Sequence, residues 1–153
     1  MTIRTQRFAL NAIIFIAISL INTWTTAQNS SKTECLAASE LKAPHLYGLW
    51  TVEMAASSAA GAASVRGQVI LEKNAEHPDS ISGWLTWNGS KVFVAGDIDD
   101  GSFSLEESDD GQRISAVWDG TVAQGSCGKA ITGNRRVGDS LVSFVLRRSS
   151  AWH

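Results

Sequence analysis

The stretch Ile81-Ser82-Gly83-Trp84-Leu85-Thr86-Trp87, the pair Asn88-Gly89, and then Lys91-Val92-Phe93-Val94-Ala95-Gly96-Asp97 decide the fold. Apolar and small polar residues alternate on both sides of the pair, the period of a half-buried strand. Asn-Gly between two such runs is the strongest short-range hairpin signal. A two-residue type I′ turn needs positive φ at both central positions, and Asn and Gly tolerate it best. Residues 81–87 and 91–97 are therefore an antiparallel pair. Trp84 and Trp87 fall on opposite faces of it, so one indole points inward and the other outward.

The same period extends in both directions. Six further strands read as 46–54, 65–73, 102–107, 112–119, 128–134 and 141–148. Asp99-Asp100-Gly101 and Asp109-Asp110-Gly111 mark turns, and Val137-Gly138-Asp139 joins the last two strands. No stretch keeps a helical period for three turns, and no crossover helix separates the strands, so an antiparallel up-and-down order follows. Eight short strands close into a barrel, which removes the exposed edges of an open sheet. A two-sheet β-sandwich fits the same pattern. The apolar face of the strands comprises Trp50, Val52, Met54, Val69, Leu71, Leu85, Trp87, Phe103, Leu105, Ile114, Ala116, Trp118, Val142, Phe144 and Leu146.

The 153 residues are 44% hydrophobic and 18% charged, with a formal net charge of −2, which suits one globular domain and excludes disorder or a strongly basic nucleic-acid binder. Residues 1–27 read as a secretory signal. Arg4 and Arg7 precede an apolar run from Phe8 to Ile21 that is shorter than the roughly 20 residues of a membrane span, and Ala27 offers a cleavage site. The remaining 28–153 keep no membrane segment. They divide into a flexible polar arm, 28–44, a barrel domain, 45–149, and a tail, 150–153. A small-residue loop occupies 55–64. The chain is thus expected to be secreted or periplasmic, where its two cysteines, Cys35 and Cys127, pair by default.

At Gly48-Leu49-Trp50 the sequence resembles the calycin superfamily, which includes lipocalins, avidins and small bacterial metalloprotease inhibitors. The resemblance implies an eight-stranded barrel. It also implies that a basic residue near the final strand, Arg147 or Arg148, packs across the tryptophan, a cation–π contact worth about 0.5–2 kcal/mol. Trp50, Trp87 and Trp118, with Arg147, are the candidate ligand-lining residues. They either border a small apolar cavity or fill the barrel.

Chemistry-bearing clusters are sparse. The acidic residues Asp97, Asp99, Asp100, Glu106, Glu107, Asp109 and Asp110 miss the EF-hand spacing by one position and read as solvated turns, with an irregular calcium site as the other reading. His45, His77 and His153 are far apart in sequence. Gly125-Ser126-Cys127-Gly128-Lys129 lacks the glycine spacing of a phosphate loop. Arg135-Arg136 reads as a solvated turn end, with an anion contact as the other reading. No metal or cofactor is implied, and no catalytic constellation assembles. The expected function is a non-catalytic exported binding protein for a small apolar ligand or a protein partner, with an inhibitor or immunity-type partner of an extracytoplasmic enzyme, or a small hydrolase, as alternatives.

Overall fold

The computed structural model describes residues 35–55 and 64–150. The signal reading for 1–27, residues 28–34 of the arm, most of the small-residue loop and residues 151–153 lie outside these. Eight strands follow one another: β1 Gly48–Met54, β2 Val65–Lys73, β3 Ile81–Trp87, β4 Ser90–Asp99, β5 Ser102–Ser108, β6 Ala116–Val122, β7 Ala130–Val137 and β8 Ser140–Arg148. Each pairs antiparallel with the next, and β1 also pairs with β8 through Val52 and Leu146, so the sheet is a closed barrel. That last pairing excludes the sandwich.

The hairpin around Asn88-Gly89 forms as expected. Trp84 stands opposite Phe93, and Asn88 and Gly89 take φ of 46° and 80°, the left-handed pair of a type I′ turn. β7 runs Ala130–Val137 rather than 128–134, which places Arg135 and Arg136 within the strand instead of at a turn, and two further boundaries shift for local reasons. β1 begins at Gly48 because Ala43–Leu46 forms a helical turn, α1, with Pro44 in its first turn, where a missing N–H costs nothing. β6 begins at Ala116 rather than 112, because the Asp110 carboxylate accepts the backbone N–H groups of Gln112 and Arg113 at 2.9 Å and holds that segment in a turn. Ile114 consequently sits in a loop, 57% exposed, and does not join the inward face.

The barrel interior is filled. Trp50, Leu71, Leu85, Phe103, Leu105, Trp118, Ile131, Phe144 and Leu146 are all buried in one cluster, and the Trp118 and Phe144 rings meet edge to face at 4.7 Å. Glycine makes room for them. A Cβ on Gly120 would meet the tip of the Phe144 ring at 3.0 Å.

One end of the barrel is plugged by the segment that precedes β1. Part of the arm expected to be flexible packs instead: Leu41 and Ala43 are buried together with Leu46 just beyond it, and an exposed 3-10 turn at Ala38–Glu40 lies over Gly101. Cys35 and Cys127 are disulfide-bonded with Cα atoms 4.8 Å apart, tying this plug to the β6–β7 loop. Lys42 adds an ion pair to Asp99 at 3.1 Å.

Candidate functional site

Three places gather polar or aromatic groups: the plugged end, the opposite mouth and one outer wall. At the plugged end the Trp50 Nε1–H donates to the Leu46 carbonyl at 2.7 Å. Arg148 donates to the carbonyls of His45 and Tyr47 at 2.5 and 2.6 Å, and its guanidinium lies 5.8 Å from the Trp50 ring. The basic residue across Trp50 is therefore Arg148. Arg147, the expected site residue, is opposite Thr51 in the ladder and exposed on the outer wall. The reason is parity. Phe144 and Leu146 point inward, so Arg148 continues that face and Arg147 does not.

At the mouth, Glu107 is buried although it was expected in a solvated turn. It takes the last inward position of β5, after Phe103 and Leu105. Arg135 takes the corresponding position on β7. Its Nε and Nη2 donate to the two Glu107 oxygens at 2.6 and 2.7 Å, and the Trp118 Nε1–H donates to Oε1 at 2.6 Å. The guanidinium lies 4.5 Å from the Trp87 ring and 5.7 Å from Trp118. This bidentate, stacked geometry is specific to arginine. Both carboxylate oxygens are thereby engaged, Oε1 by two donors and Oε2 by one.

The expected ligand-lining set is thus divided. Trp87 and Trp118 share the mouth with Arg135, Trp50 belongs to the plugged end, and Arg147 lies outside. Trp50, Trp118 and Phe144 expose at most 2% of their surface and pack in one cluster. Among the described residues no group of three or more His, Cys, Asp or Glu is placed to hold a metal ion. Asp97 accepts a hydrogen bond from Ser80, and Asp110 is paired with Arg113 at 2.9 Å. Hydrogen bonds from the Arg113 and Gln112 backbone N–H groups and the Arg113 side chain hold the Asp110 pKa below its ordinary 3.8, at about 2.

The outer wall carries the feature that alternation did foretell. Trp84 points away from the core and is 45% exposed, and the described part of the N-terminal segment does not cover it. Its ring meets Phe93 edge to face at 5.6 Å, and the Lys91 ammonium sits 4.5 Å from its centroid. Register places Leu49, Ile70, Trp84 and Phe93 in one row across β1 to β4, bordered by Thr51, Gln68, Thr86 and Lys91. Leu49, Ile70 and Phe93 are half-buried, so the row is continuous and apolar.

No family model and no curated protein matches the chain. Among solved structures it is similar to a de novo designed fluorescence-activating β-barrel, at 20% identity and a TM-score of 0.47, over 70% of this chain and 96% of that one.

Proposed function

We propose that this protein is an exported, non-catalytic binding barrel that meets a protein partner on its outer aromatic wall. The exposed Trp84 indole, set in an apolar row with Phe93 and Ile70, carries this reading. Tryptophan is enriched at the centre of protein interfaces, where a large rigid ring buries much area at little entropic cost. The filled interior argues against a small molecule inside the barrel, because its entry would have to displace packed side chains. The disulfide is compatible with an oxidising, extracytoplasmic compartment.

The test is a fluorescence titration with 8-anilinonaphthalene-1-sulfonate as a probe of accessible apolar surface. A saturable enhancement that disappears in Trp84→Ser and persists in the interior variant Met54→Leu supports the outer wall. Enhancement unchanged in Trp84→Ser, or no enhancement in the native protein, contradicts it.

A further inference from the structure

The charges around Trp84 are arranged in a way that bears on what covers the wall. Lys91 lies one strand beyond Trp84 and two residues toward the mouth. Glu72 lies one strand the other way and two residues toward the plug. With strands about 4.8 Å apart and about 3.4 Å per residue, their Cα atoms each stand roughly 8 Å from that of Trp84, on opposite diagonals, and the Lys91 side chain folds back to bring its ammonium 4.5 Å from the ring. Neither forms an ion pair among the described residues. A patch with opposite charges balanced about a central aromatic is self-complementary under a two-fold rotation, which is what an isologous dimer requires.

We infer that a second copy of this chain is the occupant of the wall, with the two-fold axis over Trp84. Around such an axis the indoles of the two copies pack together, and Lys91 of each copy faces Glu72 of the other. The inference rests on reading this wall as a contact surface. A convex barrel wall offers less than the usual 1,200–2,000 Å² or so of buried surface, so the dimer is weak and concentration-dependent, with a Kd in roughly the micromolar range or above.

Sedimentation equilibrium on the disulfide-bonded protein tests this, with Lys91→Glu, Glu72→Lys and Trp84→Ser, each first shown by circular dichroism to be folded. The native chain should follow a monomer–dimer isotherm. Lys91→Glu and Glu72→Lys should each raise the Kd about tenfold or more by facing like charges. An equimolar mixture of the two should recover association, because every contact then joins opposite charges, and Trp84→Ser should be monomeric. A native chain that stays monomeric up to about 1 mM, or a mixture that does not recover, overturns the inference. If the native chain is monomeric while Trp84→Ser still abolishes the probe enhancement, the second copy is excluded and the wall serves a different protein. If the probe also ignores Trp84, the contact-surface reading falls with it.

Discussion

Arg135 on β7 reaches across the barrel to stack on Trp87 of β3, its guanidinium 4.5 Å from the ring. In a closed ring of eight strands β3 and β7 are diametrically opposed, so one side chain spans the mouth from wall to wall. Glu107 on β5, between them, holds it in place through both carboxylate oxygens. The mouth is thereby closed by a stacked ion pair rather than left open to a lumen.

Breaking that pair from one side should be costly. Arg135→Met leaves the Glu107 carboxylate buried with the Trp118 indole as its remaining donor, which should lower stability by about 3–5 kcal/mol in urea denaturation. The double variant Glu107→Met/Arg135→Met should recover part of that loss, because two apolar side chains of similar volume replace the pair while the buried Trp118 indole N–H loses its acceptor. A double variant as unstable as the single one would show that the mouth depends on the ion pair itself.

Arg148 and Arg147 should differ sharply despite being neighbours. Arg148→Ala removes two charge-assisted bonds to the plug and the contact with Trp50, and should cost about 2–3 kcal/mol. Arg147→Ala, on the outer wall, should stay within about 0.5 kcal/mol of the native protein. Thermal melts of the two variants check this, and equal losses would contradict the parity of β8.

Much of this architecture is legible in the sequence, and its gaps have physical causes. Asn88-Gly89 and the alternation around it fix a hairpin without tertiary information, since turn geometry and pleat are local. Carrying the period of Phe144 and Leu146 two residues further would also have selected Arg148 over Arg147. Glu107 and Arg135 were not readable in this way. A charge at the last inward position of a strand is buried only if a partner arrives from another strand, and here the partner is 28 residues away in the chain. The plug was missed for a related reason. Leu41, Ala43 and Leu46 are too few to show a helical period, and their burial is created by the barrel end they cover.

Acid stability should carry a signature of Asp110. Its folded pKa of about 2 lies below the ordinary 3.8, so its contribution is complete above about pH 4 and is lost as the pH falls through about 2. Between pH 4 and pH 2 the native melting temperature should fall more steeply than that of Asp110→Asn, which has no proton to bind. Parallel curves in this window would show that the β5–β6 turn does not hold the carboxylate ionised.

The disulfide closes a span of 92 residues between the plug and the β6–β7 loop. Cys35→Ala/Cys127→Ala should lose about 4–5 kcal/mol if chain entropy dominates. Chemical denaturation with and without a reductant checks it: the native protein under reduction should match the double alanine variant. No change on reduction would mean that the packing of Leu41, Ala43 and Leu46 alone secures the plug.

The central claim is that this barrel is solid and makes its contacts outside. The most direct measurement is a two-dimensional NMR titration of the isotopically labelled protein with 8-anilinonaphthalene-1-sulfonate, following methyl and aromatic resonances. A solid barrel predicts shifts confined to Leu49, Ile70, Trp84 and Phe93, with Val52, Leu85, Phe103 and Phe144 unmoved. Shifts concentrated on that inner set, with the outer row silent, would show a ligand chamber inside the barrel and contradict the claim.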